Sequence, residues 1–291
     1  MNTRTRRILT YGVFVAPALF FFILIILVPF LRAILFSFQD WNGISSNIAW
    51  AGLDNYEKIM KDKGFYKSFM FTVKYVLATT LLLNVFAFVL ALILNLPLKL
   101  KNGLRTAFFL PYVIGSIIIG FIWQFIISQL FVDIGEATQW TLFMKNWLSL
   151  PDYSFWSLVL VTVWHSVGYF MIIYLAALQG VPNDLLEAAE IDGAGRWKRL
   201  YHVVLPLIRP AITINLFLAI SNGFKAFDLN FSLTKGGPFG TTESIALHIY
   251  LDAFTKNLFT YASAKAVIFF LILAGITLVQ VATMKRKEVE M

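Results

Sequence analysis

Long apolar runs alternate with shorter polar segments along the whole chain, and this alternation is its dominant pattern. About 20 consecutive apolar residues suffice for a helix to cross the hydrocarbon core of a bilayer. The pattern predicts six such helices, at 9–31, 69–98, 106–132, 154–180, 206–229 and 266–284. The segments between them are too short for a soluble domain, so we expect one all-α integral membrane domain over residues 1–291.

The first apolar run has some features of a secretory signal peptide, because it follows Arg4, Arg6 and Arg7 and contains Ala16-Pro17-Ala18. The run continues to residue 31, however, and a signal peptide has an apolar core of only about 7–15 residues. We therefore predict an uncleaved first span.

The composition supports a membrane protein. The chain is 59% hydrophobic and 14% charged, whereas a soluble domain averages about 25% charged residues. The net charge of +8 is compatible with a nucleic-acid partner. The basic residues flank the apolar runs, however, which indicates that they orient the protein in the membrane. We therefore predict no nucleic-acid partner. The chain contains no cysteine, which excludes disulfides and thiolate chemistry.

The arginines predict the orientation, because basic residues accumulate on the cytoplasmic side. With both termini inside, segments 32–68 and 230–265 are external, and eight of the nine arginines are internal. Arg32 is the exception, and the lysines are split between the two sides. An even number of helices agrees with this topology.

One polar segment, residues 183–205, carries the densest charge beside membrane-length runs. Its alanines and glutamates favour helix, whereas Gly193 and Gly195 favour a bend. We predict a short helix, a glycine bend and a second short helix, with Pro206 and Pro210 at the base of the next span. A solvated loop that only fixes orientation is the alternative, but Trp197 and other apolar residues among the charges favour a docking surface.

Polar residues inside the predicted spans are candidates for a ligand pathway, since charges in a membrane usually face protein or water. Span three has Trp123 and Gln124, span four has His165, Ser166 and Tyr169, and span five has Asn222, Lys225 and Asp228. Aromatic rings beside amides and hydroxyls suit a sugar.

The alternative is that these residues have structural roles and do not bind a ligand. On a continuous helix Lys225 and Asp228 share a face and form a structural pair. Trp123 is then an interfacial belt residue, and His165 bonds to a neighbouring helix.

The sequence shows no combination of residues that is typical of an enzyme active site. His165, His202 and His248 fall at different predicted membrane levels, which argues against one metal site. The chain has no H-E-x-x-H, G-x-S-x-G or P-loop motif. We therefore predict no catalytic, metal-binding or cofactor-binding residues here, and the chain itself supplies no P-loop for ATP.

The polar segment reads E-A-A-x-x-D-G-A, and L-P-x-x-x-P begins twelve positions after Gly193. Further stretches are R-T-A-F-F-L-P-Y-V-I at span three and L-T-K-G-G-P-F-G-T-T-E before span six. With these motifs the whole chain resembles the carbohydrate-type permeases of type I ABC importers, which contain the maltose-system membrane subunits. The resemblance implies a MetI-like fold of six transmembrane helices with cytoplasmic coupling helices in the EAA segment.

The resemblance also implies roles for particular residues. The EAA segment would dock into a cytoplasmic ATPase through Glu187, Ala188, Ala189, Asp192, Gly193, Ala194, Arg196, Trp197, Leu205 and Pro206. The family's sugar-contacting region aligns with His165, Ser166, Tyr169, Asn222 and Gly223, to which the polar pattern adds Trp123, Gln124, Lys225 and Asp228.

The implied partners are a second homologous permease subunit, a lipid bilayer and a homodimeric ABC ATPase, which would bind ATP and Mg²⁺. An extracellular or periplasmic sugar-binding protein would meet the outer segments, including 236–242. The implied location is the bacterial inner membrane, and the implied cargo is a sugar, with an oligosaccharide favoured. The alternatives are a polyol, glycerol phosphate or another polar solute as cargo, and an ATP-independent channel or facilitator.

Overall fold

The computed structural model describes residues 3–43, 45 and 47–285, and most of these residues are helical. The helices are α1 Thr3–Phe22, α2 Val28–Ser37, α3 Asp54–Met60, α4 Lys63–Leu94, α5 Lys101–Val113, α6 Ser116–Phe125, α7 Phe131–Thr138, α8 Pro151–Gln179, α9 Asn183–Ile191, α10 Arg196–Arg199, α11 Leu205–Leu207, α12 Arg209–Phe224, α13 Asp228–Leu233, α14 Ile245–Tyr250 and α15 Phe259–Lys285. Short π-helical turns link α1 to α2, α6 to α7 and α10 to α11 and follow α14, and a 3₁₀ turn precedes α8. A two-residue antiparallel ladder pairs β1 Gln39–Asp40 with β2 Ala49–Trp50.

Five helical segments in the described part of the chain are long and apolar enough to cross a membrane: Gly12–Ser37, Lys63–Leu94, Ser116–Thr138, Pro151–Gln179 and Phe259–Ala282. A sixth candidate is the pair Arg196–Leu207 and Arg209–Phe224, which is bent by 69°. Pro206 and Pro210 flank this bend, where the missing proline amides weaken helical continuity. The chain is therefore a multi-pass membrane protein, and the helical class predicted from the sequence is confirmed.

Two of the predicted spans are interrupted in the structure. The span predicted at 106–132 is divided, because α5 ends at Val113 and Ile114 and Gly115 adopt extended backbone before α6 begins. The span predicted at 206–229 is also divided, because α12 ends at Phe224 and α13 begins only at Asp228. Hydropathy follows side-chain composition and does not register such backbone breaks.

The sequence predicts one domain, and the structure has two compact units. The first unit comprises the described residues up to Asp62 with 249–272, and the second comprises 63–248 with the described residues from 273 onward. The second unit contains the main hydrophobic core, which includes Ala87, Leu158, Phe170 and Met171. There α5 crosses α8 at Gly168, where an added Cβ would lie 2.0 Å from the Phe108 carbonyl oxygen.

Candidate functional site

A polar cavity of about 360 Å³ lies among the helices of the second unit. Its wall comes from α4, α5, the start of α6, α8, α12 and the residues around the break between α12 and α13. The lining residues are Tyr75, Thr79, Leu83, Tyr112, Ser116, Thr162, His165, Ser166, Phe170, Ala219, Asn222, Gly223, Lys225, Ala226, Phe227, Asp228 and Leu229. The volume lies at the lower end of the range that small-molecule sites occupy, about 300–1,000 Å³.

Hydrogen bonds between helices fix one side of this cavity. The Tyr75 hydroxyl of α4 lies 2.7 Å from the Thr162 hydroxyl of α8. His165 Nε2 lies 3.0 Å from the Ile114 carbonyl oxygen, at the break between α5 and α6. Because a carbonyl only accepts, this contact requires Nε2 to carry a proton. The histidine thus ties α8 to a carbonyl that the helix break leaves without a helical partner.

Six of the nine residues predicted for a ligand pathway line the cavity, namely His165, Ser166, Asn222, Gly223, Lys225 and Asp228. The other three do not. The Tyr169 ring stacks on the Tyr112 ring, with centroids 4.6 Å apart, and Tyr112 itself lines the cavity. Trp123 packs edge-on against Trp164 at 5.4 Å, and Gln124 is half-buried away from the wall.

The structure corrects the geometry expected for Lys225 and Asp228. Lys225 caps the end of α12 and Asp228 starts α13, so the two residues do not share one helical face. No ion pair within 4 Å joins them in the described part of the chain, and both are exposed and line the cavity. The interpretation as a structural pair is therefore wrong, and both charged groups are available to a ligand.

Several lining residues are absent from the sequence-based prediction. Tyr75 and Thr79 are four apart on α4, and Thr162 precedes His165 by three positions on α8. Polar residues at helical spacing within apolar spans could have indicated them. Tyr112 and Phe227 gave no such signal, because aromatic residues are common throughout these spans.

The EAA segment has the predicted order of helix, bend and helix. Helix α9 ends at Ile191 with Asp192 as its C-cap, and Gly193 follows with φ +77°. The Gly193 amide donates to the Glu190 carbonyl at 3.0 Å, and the Ala194 amide donates to the Ala189 carbonyl at 2.9 Å. These two bonds form a Schellman motif, which favours glycine at the left-handed position. The Schellman motif therefore explains why a glycine stands at the centre of the D-G-A part of the motif.

The rest of this segment is mostly solvent-exposed. Trp197 in α10 is 74% exposed, and Ile191 and Tyr201 are exposed large apolar residues as well. Glu187, Ala188, Arg196 and Pro206 are exposed, whereas Ala189, Ala194 and Leu205 are half-buried. Arg199 Nη1 lies 2.5 Å from Glu190 Oε2 and links the second short helix to the first.

Together, the membrane-length helices, the polar cavity among them and the capped polar segment define a membrane permease. The model of the family described as "Binding-protein-dependent transport system inner membrane component" matches residues 69–288. The chain belongs to this family. The prediction that it is a permease subunit of a binding-protein-dependent ABC transporter is thereby confirmed.

Two relatives illustrate the family. The probable starch degradation products transport system permease protein AmyD of Thermoanaerobacterium thermosulfurigenes is 44% identical over 283 residues, covering 97% of this chain and 96% of the relative. The multiple sugar-binding transport system permease protein MsmF of Streptococcus mutans is 31% identical over 261 residues, covering 90% of each chain. Both relatives are named as transport permeases, not as enzymes.

A solved structure shares the fold. It is a chain of a bacterial ABC transporter involved in the import of the acidic polysaccharide alginate, with a TM-score of 0.83 over 97% of this chain and 96% of that chain. The sequences are 20% identical, so the likeness concerns the fold alone. It confirms the predicted fold of an ABC importer permease.

Proposed function

We propose that this chain is a membrane subunit of an ATP-driven importer that takes up a sugar, with an oligosaccharide as the favoured cargo. The observation that carries the proposal is the polar cavity of the second unit, in which amide, hydroxyl, ammonium and carboxylate groups face aromatic rings. The names of AmyD and MsmF support a sugar as cargo. A further relative, the diacetylchitobiose uptake system permease protein NgcF of Streptomyces coelicolor, is 30% identical over 290 residues and also supports it.

The cavity would hold one part of the sugar. Aromatic faces such as those of Tyr112 and Phe227 can pack against the C–H face of a pyranose, and Asn222 can donate and accept bonds with hydroxyls. Lys225 and Asp228 add a donor and an acceptor at the helix break. Tyr169 would support the Tyr112 ring, whereas Trp123 and Gln124 lie outside this proposed site.

The EAA segment would couple this cavity to a cytoplasmic ABC ATPase. Its exposed apolar residues, Ile191, Trp197 and Tyr201, suit a protein partner better than solvent. When a homodimeric ATPase closes on ATP and Mg²⁺, it would push this segment in our chain and in a second homologous permease subunit. The helices would then rock and open the cavity alternately to the two sides. The Schellman motif after α9 and the contact between Arg199 and Glu190 link the two short helices, which favours such a transfer.

In this proposal the chain lies in the bacterial inner membrane with both termini in the cytoplasm. The basic residues Arg286 and Lys287, which contribute to this prediction, lie outside the described residues. The external loop 236–242 would contact the sugar-binding protein, and Phe239 at its tip is 88% exposed. The loop is held by Lys67, which donates to the Phe239 carbonyl at 2.9 Å, and by Ser154, which donates to the Gly237 carbonyl at 3.1 Å.

Replacing Asn222 by alanine tests the cavity. Asn222 is exposed to the cavity, and the loss of one or two hydrogen bonds to a sugar is expected to raise the KM for uptake about 5- to 30-fold. The measurement is uptake of radiolabelled maltotriose into proteoliposomes that contain the assembled transporter. Asn102→Ala is the matched control, because Asn102 is exposed on α5 away from the cavity. An unchanged KM in Asn222→Ala would contradict the proposal that this cavity binds the sugar.

The same proteoliposomes separate an importer from a facilitator. An importer needs ATP and the ATPase subunits, so liposomes with this chain alone should show no flux above that of empty liposomes. Sustained maltotriose flux from this chain alone, without nucleotide, would favour an ATP-independent channel.

A further inference from the structure

A second cavity, of about 300 Å³, lies within the first unit. It is lined by nine residues, all of which fall in 32–68 or in 230–265, the segments that the proposed topology puts outside. The residues that carry the argument are Trp41, Asn55, Lys58, Asn257 and Tyr261. We call this cavity the outer pocket.

The aromatic wall of the outer pocket is held in position. The Trp41 backbone exchanges two hydrogen bonds with the Thr260 hydroxyl, at 3.3 and 3.2 Å. The Trp41 indole nitrogen donates to the Ser45 carbonyl at 2.6 Å, so the ring is fixed at both ends. The Tyr261 hydroxyl donates to Asp62 Oδ2 at 2.9 Å. The pocket therefore offers two oriented ring systems.

Asn55 lines the outer pocket and is held in a fixed orientation. The residue is only 4% exposed, and its amide nitrogen donates to the carbonyl oxygens of Ser37 at 3.1 Å and Gln39 at 2.9 Å. Both amide hydrogens are thus committed, which fixes the orientation of the side chain. The remaining oxygen has no hydrogen-bond partner among the residues that the structure describes. This oxygen is not among the fully enclosed side-chain atoms without a partner, so a ligand hydroxyl in the pocket can donate to it.

The outer pocket shares several kinds of group with the cavity of the second unit. Each lining includes one lysine, one aspartate, at least one asparagine amide, at least one threonine hydroxyl and aromatic rings. A single base beside a single acid does not favour an ion of either sign. Amides and hydroxyls beside ring faces favour a neutral, hydroxyl-rich ligand.

We propose that the outer pocket is a second saccharide site, which holds one sugar unit on the external side before or during entry into the membrane cavity. This inference rests on the proposed function, because it takes the ligand class from the sugar cargo. The Asn55 oxygen accepts from a sugar hydroxyl, Lys58 and Asn257 donate at the rim, and the Trp41 and Tyr261 rings pack against the sugar.

The test uses the assembled transporter in nanodiscs, without the binding protein, and maltotriose and diacetylchitobiose as probes. Saturation-transfer difference NMR reports weak saccharide binding. In an Asn222→Ala background, which removes contacts in the membrane cavity, we expect a residual saccharide signal. Adding Asn257→Gly or Lys58→Gln should weaken that residual binding about five-fold for each lost hydrogen bond. Glycine suits the positive φ of Asn257, +56°, so this variant changes the side chain and not the backbone.

Lys61→Gln is the matched control, because it removes the same charge from an exposed residue just past the end of the same helix and outside the pocket. Binding and uptake that respond to Asn222→Ala but not to the outer-pocket variants would overturn the second site and leave the proposed function intact. Weaker docking of the binding protein in these variants, with unchanged saccharide binding, would overturn it too and assign the pocket to a protein side chain. If neither probe binds and no sugar in a wider panel is taken up, both proposals fail.

Discussion

Replacing Gly193 by valine is expected to reduce sugar uptake and transport-coupled ATP hydrolysis by about 5- to 150-fold, while the protein still inserts into the membrane. Gly193 has φ +77°, a conformation that a β-branched residue scarcely adopts. The resulting backbone strain is of the order of 1–3 kcal/mol. Because the Schellman motif sets the direction in which the chain leaves α9, relief of this strain would misplace the second short helix.

The chain provides a close control for this change. Gly195 lies two residues further on with φ −64° and ψ 167°, which valine adopts freely. An added Cβ meets nothing within 4 Å at either glycine, so Gly193→Val and Gly195→Val differ mainly in backbone strain. Gly195→Val should retain most of the uptake, and Gly193→Asn should recover part of it, since asparagine tolerates the left-handed region. Equal losses in both valine variants would refute the role of the glycine bend.

Replacing Lys265 by methionine is expected to lower the free energy of unfolding of the protein by about 3–5 kcal/mol. Lys265 is 1% exposed, and its ammonium contacts the carboxylates of Asp62, at 2.5 Å, and Asp252. It also lies 4.4 Å from the centre of the Tyr261 ring. Removal of the lysine takes away the buried positive charge that the two carboxylates share, and loss of one member is the costly way to break a buried ionic cluster.

Lys256→Met is the matched control for this prediction. Lys256 pairs with the same Asp252 at 2.7 Å, but its side chain is 56% exposed. An exposed lysine in such a pair contributes about 0–1 kcal/mol, so the thermal midpoint of the detergent-solubilised protein should fall much less. Asp252→Asn in the Lys265→Met background should restore part of the stability, because it removes one of the two carboxylates that lose the buried ammonium. Equal effects of the two lysine variants would contradict this account of the cluster.

The sequence predicts much of the fold, because the spacing of apolar runs reports directly which segments can cross a membrane. It also predicts the bend at Gly193, because a glycine that follows an alanine-rich helical segment indicates the end of that helix. It does not predict the breaks at Ile114–Gly115 and after Phe224, which depend on how the helices pack. For this reason the helical relation assumed between Lys225 and Asp228 is wrong, although both residues line the cavity.

The outer pocket and the buried Lys265 could not be foreseen from the sequence. Asn55 and Asn257 are about 200 positions apart, and nothing in a local pattern brings them to one cavity. Lys265 stands beside an apolar run and looks like an ordinary flanking lysine, yet tertiary contacts bury it between two carboxylates. Such long-range pairings follow from helix packing, whereas local periodicity reports only single elements.

The most direct test of the central claim, that the EAA segment transmits the movement of a separate ATPase, is site-specific crosslinking. The chain has no native cysteine, so Ala188→Cys introduces a single reactive thiol at an exposed position of α9. With a short bifunctional crosslinker in inside-out membrane vesicles, we predict a crosslink to the nucleotide-hydrolysing subunit whose yield changes with ATP. Phe239→Cys, on the opposite side in this topology, should instead crosslink to the sugar-binding protein in right-side-out vesicles. A thiol at position 188 that reacts only from outside, or that never reaches an ATPase subunit, would contradict the account.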